Sequence, residues 1–284
     1  RLVAADPYYA FRNAMILLHG FRVHPRPMDE GETPGRSAHA AVHPTADVGA
    51  DAVIHPGAVV EAHARIGARC TLYPGAYVGE HVRIGADSIL YPNVTVYDRC
   101  ILGDRVTLHA GTVIGQDGFG YATHAGRHHK IPQRGIVVIE DDVELGAGCM
   151  VERAALGETR IGEGTKFADL ISVGHGSTIG RHCLVVSLCG ISGSVEMGDY
   201  VVLGGQTAIG GHLKVGHRVQ AAARTGINRD IPDDQRIGGF PPTDLTTANR
   251  NLVAAAKLHH AADRIRELER RVRQLEQAGE DATP

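Results

Sequence analysis

Residues 48–84 read VGADAVIHPGAVVEAHARIGARCTLYPGAYVGEHVRI, and stepping through them by six lands on an aliphatic residue every time. Val48, Ile54, Val60, Ile66, Leu72, Val78 and Ile84 are followed at the same step by Leu90, Val96, Leu102, Leu108 and Ile114. A second run starts at Ile161 and continues through Phe167, Val173, Ile179, Val185, Ile191, Met197, Leu203, Ile209, Val215 and Ala221 to Ile227. Ile139, Leu145 and Val151 lie between the two runs. Neither a helical period of about 3.6 nor strict alternation produces this spacing. Four residues after each aliphatic position comes a second small or apolar one, as at Ala52, Ala58, Ala64, Cys70, Ala76 and Val82. Three hexads make one triangular coil of eighteen residues, and counterparts in successive coils stack about 4.8 Å apart. The fold expected is mainly β, a parallel β-helix of hexapeptide repeats over residues 48–230 whose twenty-seven hexads wind about nine coils.

Composition agrees. Glycine accounts for 36 of 284 residues, aromatics for 5%, and tryptophan is absent, as expected of a turn-rich solenoid with small core side chains. A formal charge of −3 gives no basis for whole-surface attraction to nucleic acid or anionic membrane. No run of about 18 apolar residues is present to span a bilayer. Cys70, Cys100, Cys149, Cys183 and Cys189 all occupy the small inward position without metal-ligand spacing, so buried core thiols of a reducing cytoplasm are expected.

The period breaks at residues 115–138, GQDGFGYATHAGRHHKIPQRGIVV, and again at 152–160. An insertion into a solenoid projects from one face and is a common binding element. Its His124, His128 and His129 lack a carboxylate or cysteine that would complete a recognisable ligand pattern, so no metal is expected. Residues 1–47 hold one amphipathic helix, Asp6 to Phe21, and a polar linker. Residues 231–284 form a linker and one long helix, capped by Asp244 and running to about Gln277. Leu258, Ile265 and Val272 with Ala261, Leu268 and Leu275 form an a/d seam, which suggests an oligomer.

HPTADVG, the loop QDGFGY with KIPQRG, GEGTKFADLISVGHG and TAIGGHLKVG occur in one order, after DPYYAF and before the C-terminal helix. In this order they resemble the UDP-3-O-acylglucosamine N-acyltransferases of lipid A synthesis. The resemblance implies a left-handed coil, a homotrimer with sites in the clefts between subunits, and a cytoplasmic enzyme without a cofactor of its own. It also implies that residues 1–47 carry only the remnant of a uridine-binding domain.

The acceptor would be a UDP-sugar, and the donor a 3-hydroxyacyl group on acyl carrier protein. The resemblance makes His175 the general base, a role suited to an imidazole, which titrates near neutral pH. Gly193, eighteen residues on, would be the backbone oxyanion donor, and His212 a second functional histidine. Asp117, Phe119, Tyr121, Gln133, Arg153 and Asp169 are candidate substrate-binding residues. Arg264, Arg266, Arg270, Arg271 and Arg273 form a basic run suited to an acidic carrier protein. Three positions depart from the family's pattern: Glu152-Arg153-Ala154 replaces Asp-Arg-Gly, Ala168-Asp169 replaces Asp-Asn, and Gly176 replaces Asn. The rival readings are a sister acyltransferase with a different sugar acceptor or acyl donor, a catalytically silent β-helix scaffold, and a zinc-dependent trimeric carbonic anhydrase that takes three histidines from two subunits, for which His175, His212 and His217 have suggestive spacing.

Overall fold

The computed structural model describes residues 5–31, 33–238 and 245–280. Residues 1–239 and 240–284 form two separate compact units. In the first, short strands build three parallel sheets of ten, nine and ten strands, each strand pairing with one a coil away. Thr95 pairs with Tyr77 on one side and Val113 on the other, eighteen residues each way. Backbone bonds such as Val59 N–H to the Ala76 carbonyl (2.8 Å) and Tyr77 N–H to the Val94 carbonyl (2.8 Å) join successive coils.

The six-residue step places the aliphatic column in the interior, where Leu72, Leu90, Leu108, Ile114, Leu145 and Ile161 are fully buried. The second inward position fills the corners with Ala58, Ala64, Cys70 and Ala76, also fully buried. All five cysteines are free and buried. Burial pushes the thiols of Cys70, Cys149 and Cys183 up to about 11, which keeps them protonated and inert.

Each corner needs one residue in the left-handed region, three after the aliphatic position: Gly57 (φ 72°), His63 (φ 58°), Gly176 (φ 67°) and His212 (φ 60°) are examples. Asparagine and glycine are the residues that enter this region most readily. Gly176 in place of Asn therefore meets the same backbone demand. Exposed pairs decorate these corners, among them Arg69 with Asp87 (2.6 Å) and Arg218 with Asp234 (2.6 Å). Each adds little stability because water screens it.

Strands extend past both expected limits. Ala41–Val42 pairs with Val59–Val60, since Val42 is simply one more step of six before Val48. At the other end Arg236–Ile237 pairs with Gln220–Ala221, the chain making that coil two residues short. The first break is also narrower than 115–138, because Gln116 still pairs with Glu152 and Ile136 with Glu158. Between them projects a hairpin of Tyr121–His124 and Arg127–Lys130.

Before the first coil lies helix α1, Pro7–His19, whose first turn is capped by the Asp6 carboxylate accepting from Tyr9 N–H (2.9 Å). The segment after it covers an aromatic column spaced by eighteen: His55, Tyr73, Tyr91 and His109 stack with centroids 5.0, 5.1 and 4.9 Å apart. His24 lies edge-on to Tyr73, its Nδ1 2.8 Å from the tyrosine hydroxyl. Ser37 N–H bonds the Ile54 carbonyl (2.9 Å) and Ile54 N–H bonds the Gly35 carbonyl (2.9 Å), so this strap also occupies a sheet edge.

The second unit corrects an expectation. It holds two helices, α2 (Leu245–Ala256) and α3 (Leu258–Glu280), in place of one. Lys257 N–H bonds the carbonyl three residues back, at Ala254 (3.0 Å), a tighter turn that interrupts the α-helical ladder. The expected cap Asp244 lies outside the described residues. Along α3 the seam residues Ile265, Leu268, Val272 and Leu275 are exposed on the single chain. No helix among the described residues is long and apolar enough to cross a membrane.

Two tests follow from these contacts. Gly176→Val should cost about 1–2 kcal/mol in urea unfolding, whereas Gly176→Asn should stay near the parent. Burial lowers the imidazole pKa of His55, partly opposed by a backbone hydrogen bond at Pro25 and by the charge of Asp29. Burial, then the charge of Arg22, lowers that of His24. Both are neutral under the strap, so strap docking is complete above the ordinary value of about 6.5 and weakens as pH falls through it. Amide exchange of residues 22–30, corrected for its intrinsic pH dependence, should quicken between pH 7.5 and 5.5. His55→Phe should flatten that response.

Candidate active site

One outward column explains where a groove can form. On the sheet that begins at Ala41, the solvent-facing positions run Val59, Tyr77, Thr95, Val113 and Met150, then Ser172, Gly190, Ala208 and Gly226. Where the side chains become small, a groove of about 470 Å³ opens along the face. A Cβ built on Gly190 would meet nothing within 4 Å, so the floor there is open space.

His175, Gly193 and His212 all line this groove, with Phe119 and Glu152 at its edge. Register does this: Ser194 N–H bonds the His175 carbonyl (2.8 Å) and His212 N–H bonds the Gly193 carbonyl (3.1 Å). The imidazole lies directly against Gly193. A Cβ at that position would come 2.8 Å from His175 Nε2 and 2.9 Å from Cε1, so only glycine leaves the ring its place.

The Gly193 N–H is open for a related reason. At two equivalent positions the N–H is taken by a carboxylate eighteen residues on, Ala86 N–H by Asp104 (2.7 Å) and Arg181 N–H by Asp199 (2.8 Å). Eighteen after Gly193 comes Gly211, which has no side chain, and no partner for the Gly193 N–H occurs among the described residues. A base and a backbone donor without a partner thus belong to residues that line one cavity. That pair can take a proton from a nucleophile and stabilise an oxyanion on the carbon it attacks.

The remaining expected residues are distributed less simply. Phe119 is 79% exposed, and its ring lies edge-on to Tyr121 with centroids 5.3 Å apart. Tyr121 and Asp117 do not line the groove. Lys130 fastens both to the hairpin base, its Nζ donating to the Gly118 carbonyl (2.9 Å), 3.4 Å from the Asp117 carboxylate and 5.4 Å from the Tyr121 centroid.

Gln133 is buried beneath the loop, donating to the Ile131 carbonyl (2.9 Å) while its Oε1 has no partner among the described residues. Arg153, expected at a substrate, is 4% exposed and held inside by the Gly115 carbonyl (2.6 Å) and the Asp98 carboxylate (3.0 Å). Burial raises the Asp98 carboxyl, but hydrogen bonds and charge from Arg153 and Arg99 outweigh it, and the net shift is downward. Asp169 is likewise occupied, its carboxylate accepting from Ala147 N–H (2.8 Å), the same ladder contact that Asp104 makes. Arg153 and Asp169 are thus engaged by the protein itself, while Gln133 keeps one acceptor without a partner among the described residues.

Glu152 is the groove residue that spacing alone did not single out. Its Oε2 accepts from both His175 N–H (3.1 Å) and Phe119 N–H (3.1 Å). A signal was available: Glu140 accepts from Glu163 N–H (3.0 Å) across the same twenty-three residues. His217 lines a different groove and accepts from Asp199 N–H (3.0 Å), so the three histidines of the anhydrase reading are not gathered within one chain. Among the described residues, donor atoms close enough to share a metal ion occur at His63, Glu80 and His81, all exposed and outside this groove. On α3, Arg264 pairs with Glu267 (2.6 Å) and Arg266 lies 3.8 Å from Asp263.

Comparison with known proteins agrees with this architecture. The bacterial transferase hexapeptide family (six repeats) matches residues 45–80 and 81–116. A UDP-3-O-acylglucosamine N-acyltransferase of Methylorubrum extorquens is 46% identical over 164 residues, 58% of this chain and 47% of that protein. The Methylobacterium nodulans protein of the same name is 50% identical over 50% of this chain and 40% of its own. The one from Wolinella succinogenes is 49% identical over 52% and 47%. The chain therefore spans about half the length of the curated relatives it matches.

Among solved structures, UDP-N-acetylglucosamine acyltransferases of Arabidopsis (TM-score 0.58, 18% identity, 75% of this chain and 76% of that one) and Bacteroides fragilis (0.57, 20%, 72% and 71%) share the fold. The chain is thus a hexapeptide-repeat β-solenoid similar in sequence to curated UDP-3-O-acylglucosamine N-acyltransferases.

Proposed function

We propose that the groove carries out N-acyl transfer, moving a 3-hydroxyacyl group from acyl carrier protein to the 2-amine of a UDP-3-O-acylglucosamine. The observation that carries this reading is the imidazole of His175 packed on Gly193, a residue lining the same cavity whose N–H has no partner among the described residues. The names of the curated relatives support the acceptor. His175 takes the proton that the amine loses as nitrogen bonds to the thioester carbon. The Gly193 N–H donates to the oxygen that becomes negative, and the carbon–sulfur bond then breaks to release the carrier thiol. His212, two coils along the groove from His175, contacts the acyl or leaving side.

On this reading Phe119 meets the acyl chain or the pantetheine arm. Arg264, Arg266, Arg270, Arg271 and Arg273 of α3 receive the acidic carrier. The exposed seam on the same helix supports a trimer, and the reaction calls for no cofactor of the chain's own. The setting proposed is the cytoplasm.

The test is product mass after incubating the protein with 3-hydroxyacyl carrier protein and UDP-3-O-acylglucosamine. His175→Ala should lower transfer about 100- to 10,000-fold while unfolding in urea as the parent does. His212→Ala should lose less. Gly190→Val would fill the floor without strain, leaving stability within about 0.5 kcal/mol but lowering kcat/KM at least about 10-fold. Transfer undiminished in His175→Ala would overturn the assignment.

A further inference from the structure

We infer that Glu152 is a positioning residue, which locks the inserted loop to the backbone of His175 and so fixes the Phe119 wall of the groove relative to the base. The inference rests on the acyl-transfer reading above.

Gly193 limits how the His175 N–H can be capped. At Ala86, Arg181 and Asp199, which hold the equivalent position in other hexads, the N–H is capped from the following coil by a side chain eighteen residues on. For His175 that residue is Gly193, which cannot carry a side chain without striking the imidazole. The cap comes instead from the preceding coil, where Glu152 supplies it through Oε2 (3.1 Å).

Glu140 caps Glu163 in the same way and is joined to no inserted loop by that bond, so capping alone would be ordinary. Glu152 differs because the same oxygen also accepts from Phe119 N–H (3.1 Å). No other hydrogen bond from either N–H occurs among the described residues. Loop and base also touch directly: a Cβ at Gly118 would fall 2.6 Å from His175 Cβ, leaving no room for slippage between them. Gly120 N–H bonds the Gly118 carbonyl (2.9 Å), which closes a tight turn about Phe119. One carboxylate thus sets both the height of the wall and the seat of the base.

The experiment compares Glu152→Ala with Glu152→Gln, which keeps an acceptor oxygen. Two readouts are used: site-resolved amide exchange and steady-state acyl transfer. In Glu152→Ala the amides of Phe119 and His175 should exchange about 10-fold faster or more, while those of Ile191 and Leu203 hold. The chain contains no tryptophan, so Phe119→Trp gives a single tryptophan on the loop, and its emission anisotropy should fall when Glu152→Ala is added. Transfer should show a KM raised about 10-fold with a smaller fall in kcat, and Glu152→Gln should restore KM to within about 3-fold.

Unchanged exchange at both amides in Glu152→Ala would overturn the lock, as would faster exchange with KM unaltered. If the parent protein shows no transfer at all, the acyl-transfer reading fails. Exchange and anisotropy then still decide whether Glu152 holds the loop.

Discussion

Everything in this solenoid depends on one constraint: a residue's neighbour along the axis is its counterpart in the next coil, eighteen residues on wherever the period is unbroken. Backbone bonds fix that spacing through every coil, so side chains of one column must tolerate one another at strand separation. Aliphatic columns satisfy this indoors and stacked rings satisfy it under the strap. A column that turns small leaves a trench. The candidate site is such a trench, opened at Ser172, Gly190 and Ala208.

The same constraint relates the polar groups. Deleting a side chain at Gly193 makes space for the imidazole of His175, and deleting one at Gly211 leaves the Gly193 N–H open. Gly193 also offers the His175 N–H no side chain from the following coil, and Glu152 caps it from the preceding one. Base, donor and loop thus meet around two glycines placed eighteen apart.

Legibility in the sequence followed the period. The solenoid, the inward cysteines and the gathering of His175, Gly193 and His212 could all be read by counting, because unbroken coils convert sequence distance into position. Counting failed where the coil length changes. Arg153 looks like a substrate ligand in a motif, but the coil that carries the insertion turns it inward onto Asp98 and Gly115. Asp169 was legible only as a charge. Its role appears once Ala147 N–H is placed opposite it. In the C-terminal unit, heptad spacing runs through Leu258 but says nothing of the tight turn at Lys257 that divides α2 from α3.

The central claim is that one groove holds both the base and the oxyanion donor of an acyl transfer. The most direct test is to titrate the labelled protein with UDP-3-O-acylglucosamine and follow backbone amide resonances. The largest shifts should fall together on His175, Gly193 and Ser192, with Gly190 and His212 following. Shifts confined to another face, such as the groove of Glu196, Lys214 and Asp233, would contradict that claim.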